Sequence, residues 1–226
     1  MIRFDNVSKR YRTRTGSRTV LKDASFAIER GQALAICGQN GAGKSTLLRL
    51  IAGVETPSHG RVSREMSVSW PIGHGSAFQS SLTGADNAKF VARIYNRPID
   101  DMLAYVDDFA ELGSYLRMPV RTYSAGMIAR LAFAVSLAVD FDCYLVDEIT
   151  SAGDARFQQR CHDALEARRS SGTLVMVSHD DATLRRYCDR GATLINGNLT
   201  FHDSLDAAID AHLAAQNGAA PNGVTA

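Results

Sequence analysis

The sequence predicts an α/β protein whose sheet is mostly parallel. Three observations carry that expectation. Short apolar runs alternate with longer segments of helical period, the runs are apolar throughout as in strands buried on both faces, and each stops abruptly at glycine or polar residues. Ala33-Leu34-Ala35-Ile36-Cys37 ends in Gly38, and Cys143-Tyr144-Leu145-Val146 ends in Asp147-Glu148. Thr173-Leu174-Val175-Met176-Val177 ends in Ser178-His179-Asp180. Val20 to Ile28 alternates loosely and reads as a further strand. Ligands of such sheets gather at the carboxyl ends of strands, so the chemistry is expected at these three junctions.

The helices follow from spacing and caps. Leu47-Leu48-Arg49-Leu50-Ile51 leaves the first junction as a helix. Thr83-Gly84-Ala85-Asp86 resembles a capping box, and Ala88, Val91, Ala92 and Tyr95 follow at i, i+3, i+4 and i+7. Asp100 is expected to cap a second helix carrying Met102, Leu103, Val106 and Phe109. Ser124 is expected to cap a third, with Ile128, Leu131, Ala132 and Val135 on one face. Pro98 and Pro119 punctuate the series. Residues 76–138 thus read as a helical subdomain inserted in an α/β core that spans residues 1–216. The stretch 217–226, Asn-Gly-Ala-Ala-Pro-Asn-Gly-Val-Thr-Ala, has little to bury and is expected to be a disordered tail. There is no internal repeat.

Composition removes several classes of function. The 226 residues carry 25 Lys+Arg and 24 Asp+Glu, and 25 − 24 leaves a formal charge of +1, which offers no bulk attraction for nucleic acid. With 45% hydrophobic and 22% charged residues, the chain resembles an ordinary folded domain, which disfavours disorder. The richest apolar segment, Leu131 to Val139 between Arg130 and Asp140, is far short of the roughly 20 residues a membrane helix needs. Met1-Ile2-Arg3-Phe4-Asp5 lacks the apolar stretch of a signal peptide, so the expected compartment is the cytosol. Cys37, Cys143, Cys161 and Cys188 form no Cys-x-x-Cys pair for zinc or redox work. Cys37 and Cys143, in apolar runs, read as buried small hydrophobes.

Gly38-Gln39-Asn40-Gly41-Ala42-Gly43-Lys44-Ser45 fits the phosphate-binding loop G-x-x-x-x-G-K-[ST], with Thr46 next, an apolar strand before it and a helix after it. The glycines let backbone N–H groups curl around phosphate oxygens while a helix N-terminus adds positive potential. Lys44 would neutralise the β- and γ-phosphates, and the Ser45 hydroxyl would ligate Mg²⁺. A tight strand-to-helix turn alone would account for glycines but not for Lys-Ser after them. Asp147, after a buried strand, is placed to organise Mg²⁺, and Glu148 to orient and deprotonate an attacking water. His179, at the end of the next buried strand, is placed to reach the γ-phosphate.

Tyr123-Ser124-Ala125-Gly126-Met127, shortly before Asp147, resembles the Leu-Ser-Gly-Gly-Gln signature of ABC-type ATPases. Matching elements cover nearly the whole chain in the family's order. Tyr11 resembles the adenine-stacking aromatic, Gln79 the Q-loop glutamine that also reaches the metal, Ser151-Ala152-Gly153-Asp154 the D-loop, and His179 the switch histidine. By that resemblance the fold is a P-loop ABC-type ATPase core with an inserted helical subdomain. Two subunits would pair head to tail around two ATP molecules, with Ser124, Ala125 and Gly126 of one facing Lys44 and Ser45 of the other. Tyr123 and Met127 stand where the family usually has leucine and glutamine, Ala125 where it has glycine, and Gly153 where it has leucine.

These departures resemble the branch that exports bacterial surface polysaccharides. Ser69-Trp70-Pro71-Ile72-Gly73, Phe78-Gln79-Ser80-Ser81-Leu82-Thr83-Gly84 and Asp147-Glu148-Ile149-Thr150 look most like the capsular polysaccharide export ATPases of Gram-negative bacteria. Many O-antigen export ATPases append a carbohydrate-binding domain, and the short stretch after the core here favours capsule over O-antigen, teichoic acid or other glycans. The resemblance implies a homodimer on the cytoplasmic face of the inner membrane, bound to an integral-membrane permease around Phe78 to Tyr95. It also implies a periplasmic copolymerase and an outer-membrane exporter, and no nucleic acid. A DNA-repair ABC ATPase would need a long coiled-coil insertion, yet only about 80 positions separate Lys44 from Ser124. A translation-type ABC factor usually carries two cassettes. The cluster Lys9, Arg10, Arg12, Arg14 and Arg18 reads as a solvated hairpin beside the nucleotide, where lipid headgroups or ATP phosphates could also use it.

Overall fold

A computed structural model describes residues 1–13, 16–72, 78–148 and 154–218 of the chain. Two sheets organise it. Strands β1 (Ile2–Thr13), β2 (Gly16–Ile28) and β4 (His59–Arg64) form an antiparallel sheet in the order β2-β1-β4. The larger sheet contains β3 (Ala33–Cys37), β5 (Val68–Ile72), β6 (Cys143–Asp147), β7 (Thr173–Val177), β8 (Arg190–Ile195) and β9 (Asn198–His202). Its order is β5-β6-β7-β3-β8-β9. All neighbours pair in parallel except β9, which returns antiparallel along β8.

The larger sheet lies between two apolar layers, and the period of two along each strand divides its side chains between them. Leu34, Ile36, Cys143, Leu145, Val175 and Val177 face the antiparallel sheet and helix α1 (Lys44–Ala52). Ala33, Ala35, Cys37, Tyr144, Val146, Leu174 and Met176 face the remaining helices. That second layer holds α2 (Gly84–Ile94), α3 (Ile99–Ala110), α4 (Ala125–Leu137), α5 (Ala155–Ser171), α6 (Asp181–Tyr187) and α7 (Leu205–Asn217). The helices between residues 84 and 137 thus share one apolar cluster with the sheet. No helix among the described residues is long and apolar enough to cross a membrane. All four cysteines are buried and free. Burial pushes the Cys37 thiol up to about 11 and those of Cys143, Cys161 and Cys188 up to about 12, as suits small core hydrophobes.

Three local expectations need adjustment. The antiparallel sheet was legible only at β2, because bulges in β1 between Phe4 and Val7 and again around Lys9 break the alternation a strand normally shows. Asp100 is not the cap of α3. Pro98 occupies that position without a side-chain bond, and Asp100 and Asp101 sit in the first turn, where their charge complements the helix dipole. Asn217, assigned to the tail by its composition, is the last residue of α7; positions 219–226 lie outside the described residues.

Thr83 and Ser124 do cap α2 and α4, accepting from the Asp86 and Met127 amides. The segments before these two helices are tied together: the Val120 N–H donates to the Leu82 carbonyl at 2.9 Å and the Arg121 N–H to that of Ser80 at 2.8 Å. Tyr123 completes the junction. Its ring is buried, its hydroxyl donates to the Tyr115 carbonyl at 2.6 Å, and a Cβ on Gly84 would meet that hydroxyl at 2.5 Å. Gly84→Ala should therefore cost about 1–3 kcal/mol through overpacking. Tyr123→Phe should cost about 1 kcal/mol for its lost hydrogen bond, and the alanine penalty should shrink in the phenylalanine background. Denaturant titration of the four proteins measures this coupling; additive effects would mean that the two residues do not oppose each other.

Candidate functional site

The first junction is shaped by close approaches. As the chain leaves β3, a Cβ on Gly38 would lie 2.7 Å from the Leu194 carbonyl of β8, so only glycine fits. Gly43 has φ +111 and a Cβ there would meet Val20 at 3.1 Å; it caps α1 without a side-chain bond. The first helical bond runs from the Leu47 N–H to the Gly43 carbonyl at 2.9 Å. The amides of Lys44, Ser45 and Thr46 therefore precede the helical ladder at the positive end of α1, a ready anion site.

A cleft of about 810 Å³ opens here. It brings together Asn40, Gly41, Gly43, Lys44, Ser45 and Thr46 of the loop with Tyr11 of β1, Asp147 at the end of β6, Glu148 directly after it, and His179 after β7. Three strand ends and the β1–β2 hairpin thus deliver their polar residues to one place. Gly38 packs beneath the loop, while Gln39 and Ala42 line an adjoining cavity on its other side.

Lys44 is buried, and its ammonium donates to the Gly38 carbonyl at 2.5 Å and that of Gln39 at 3.1 Å. Burial holds its pKa below the ordinary lysine value, with Asp147 and Glu148 pulling the other way. Glu148 adopts the left-handed conformation, φ +59, and its N–H donates to the Val177 carbonyl at 2.9 Å. That conformation aims its carboxylate at His179, with Oε1 3.0 Å from Nε2. The Tyr11 hydroxyl donates to Glu55 at 2.5 Å, and the Lys9 ammonium sits 5.0 Å from the ring centroid while pairing with Glu55 at 2.8 Å. Burial disfavours the Glu55 carboxylate, but the hydrogen bonds from Lys9 and Tyr11 outweigh it and keep the group below the usual carboxylate range.

The other sequence-derived candidates lie elsewhere. Gln79 is exposed outside the cleft, its backbone held by Asn87 through bonds of 2.9 and 3.2 Å. Ser124, Ala125 and Gly126 open α4 on another surface, and a Cβ on Gly126 would find nothing nearer than the Ser124 hydroxyl at 3.9 Å. Asp154 caps α5 and pairs with Arg130 at 3.1 Å; Ser151, Ala152 and Gly153 lie outside the described residues. Sequence reasoning did not single out Thr13, Val20 and Val177, which also line the cleft and carry no motif.

The donor set suits a hard cation carried in with phosphate. Among the described residues no three His, Cys, Asp or Glu side chains could hold a metal, whereas a hydroxyl (Ser45) and a carboxylate (Asp147) share the cleft. Mg²⁺ bound through one or two protein oxygens, substrate phosphates and water fits that set.

A phosphate-cradling loop at a helix N-terminus, facing an acidic strand end in a parallel sheet, defines a P-loop nucleotide-binding protein. The chain belongs to the ABC transporter family, whose sequence model matches residues 21–151. It is 50% identical to the capsule polysaccharide export ATP-binding protein CtrD of Neisseria meningitidis serogroup B, over 93% of this chain and 97% of that protein. It is 47% identical to the polysialic acid transport ATP-binding protein KpsT of Escherichia coli, over 84% and 87% of the two chains. The fold matches the ATP-binding cassette MJ0796, solved as a dimer in a post-hydrolysis state with ADP and Pi. The TM-score is 0.78 at 22% identity, over 91% of this chain and 99% of that one.

Proposed function

We propose that the chain is the ATP-hydrolysing subunit of an exporter that moves capsular polysaccharide across the bacterial inner membrane. The observation that carries this reading is the identity of one residue in two with CtrD along almost the full length of both chains. Two copies would act together, peripheral to the cytoplasmic face, with a separate permease supplying the membrane path. A periplasmic copolymerase and an outer-membrane exporter would continue that path.

Within the cleft, the loop amides and Lys44 bind the triphosphate, and Tyr11 stacks on adenine with its ring held in place by Glu55. Ser45 and Asp147 would hold Mg²⁺, which would supply positive charge against the phosphates. Glu148 orients and deprotonates the attacking water, and His179, 3.0 Å away, steadies that carboxylate and reaches toward the γ-phosphate. Gln79 would join the cation only when the segment before α2 moves, since it now lies outside the cleft. Ser124, Ala125 and Gly126 serve the partner's nucleotide. In support, nothing among the described residues requires glycine at 126, where a Cβ would meet nothing nearer than the Ser124 hydroxyl at 3.9 Å. Asp154 would meet the partner's loop from the start of α5. ATP binding favours the closed pair and hydrolysis reopens it, so export is driven by the different affinities of the permease for the two states.

The permease surface is proposed around α2. Leu82, Phe90, Ile94 and Tyr95 are exposed there, and Tyr115 and Met118 are exposed beside the 3-10 turn over Gly113–Arg117 that packs on α2. An apolar patch of this kind marks an interaction site. Deleting the gene in its own host should remove capsular polymer from the cell surface and leave it inside the cell. The wild-type gene should restore export, and a Glu148→Gln copy should not. Normal surface polymer in the deletion strain would overturn the assignment.

A further inference from the structure

We infer that Arg18 is a nucleotide-binding residue that reaches from the β1–β2 hairpin to contact the phosphates; this inference rests on the nucleotide-binding reading above. None of the family motifs includes it. In the hairpin register Arg18 stands directly opposite Tyr11, so the two side chains leave the same face. Both line the cleft. The Arg18 guanidinium bridges from the hairpin to the phosphate loop, where Nη2 donates to the Gly41 carbonyl at 2.5 Å. The hairpin therefore presents, side by side, a flat ring for a base and a planar cation for the phosphates that follow it.

Charge accounting favours that role over a structural one. Lys44 is buried and donates to loop carbonyls. Lys9 is paired with Glu55, as is Arg49 at 3.2 Å. Arg18 is exposed and has no carboxylate partner among the described residues. A bond to one neutral carbonyl leaves most of its five N–H donors free. A triphosphate in this cleft is the strongest acceptor within its reach, and guanidinium–phosphate bonds are strong and directional. The contact should fall on phosphates common to ATP and ADP, because Arg18 lies on the Tyr11 side of the loop while Asp147, Glu148 and His179 lie at the strand ends.

Calorimetric binding of MgATP, MgADP and adenosine to full-length variants tests this. Arg18→Ala should weaken MgATP and MgADP by about tenfold each and leave adenosine within about twofold of wild type. Arg18→Lys should recover part of the loss because it restores charge. Arg18→Gln, which can still donate to the Gly41 carbonyl but is neutral, should not. The salt dependence of MgATP binding should be shallower in Arg18→Ala than in wild type. Unchanged MgATP affinity in Arg18→Ala, an equal loss for adenosine, or recovery by glutamine as complete as by lysine would each overturn the inference. Lys44→Ala serves as a separate arm. If it binds MgATP as wild type does, the nucleotide site itself is misassigned; if it fails while Arg18→Ala binds normally, only the role of Arg18 falls.

Discussion

Gly126→Asp should leave the protein folded and able to bind ATP, yet lower hydrolysis by at least about 100-fold, the scale of losing one essential transition-state contact. Ser124 caps α4, so Gly126 lies in the second position of the helix, with space around its Cα inside its own chain. An aspartate there faces the positive end of the helix dipole and should stabilise the protein by about 0.3–1 kcal/mol, on top of removing a flexible glycine. The same carboxylate would stand where the γ-phosphate of a partner's ATP must approach, and repulsion between the two anions should block closure of the pair. Thermal denaturation, equilibrium ATP binding by the monomer, ATP-dependent dimerisation and turnover, measured together, separate these effects. A variant as stable as wild type that binds ATP but neither pairs nor hydrolyses is the expected outcome. Normal hydrolysis would show that the nucleotide is not completed by a second α4.

The parts of this fold that were legible in the sequence are those where local chemistry and tertiary position agree. β3, β6 and β7 are buried on both faces, so their apolar runs could not be misread, and each ends where a polar residue enters the cleft. Thr83 and Ser124 announced the starts of α2 and α4 because a capping hydroxyl acts within three residues of itself. β1 was not legible, since its bulges make the side-chain alternation skip. β4, β8 and β9 carry short patterns that acquire meaning only from the strands beside them. Pro98 stands at the cap of α3 without a side-chain bond, and Asp100 and Asp101 in the first turn gain from the helix dipole without capping.

The candidate site divides along the same line. Tyr11, Lys44, Ser45, Asp147, Glu148 and His179 converge in one chain. Gln79, Ser124 to Gly126 and Asp154 do not reach that cleft, and only their resemblance to a family that works in pairs gave them a place in the chemistry. Arg18 shows a third case. In the sequence it is one of several cations in a hairpin, and its significance comes from the register that sets it opposite Tyr11 and from the loop carbonyl it holds.

Glu148→Gln should nearly abolish turnover while preserving ATP binding. Glutamine keeps the size of the side chain and one oxygen, and its amide can still bond to His179, so the 3.0 Å contact should survive. What it loses is negative charge and basicity. General-base contributions of about 10²–10⁴-fold correspond to roughly 3–5 kcal/mol of barrier. Lys44, Ser45 and the loop amides are untouched, so the variant should accumulate as an ATP-bound closed pair. The backbone supplies an independent control. Glu148 sits at φ +59, a conformation that costs a residue with a Cβ roughly 1–2 kcal/mol. Glu148→Gly should therefore match or exceed the wild type in stability while being as inactive as Glu148→Gln. That pattern identifies a residue held in a strained position to serve chemistry, since a carboxylate that merely ended β6 would give a more stable and still active enzyme when replaced by glycine. Single-turnover hydrolysis, ATP-dependent dimerisation and denaturant unfolding of the three proteins decide between the two. Hydrolysis by Glu148→Gln that falls less than about tenfold, well short of a general base's contribution, would assign the proton to another group.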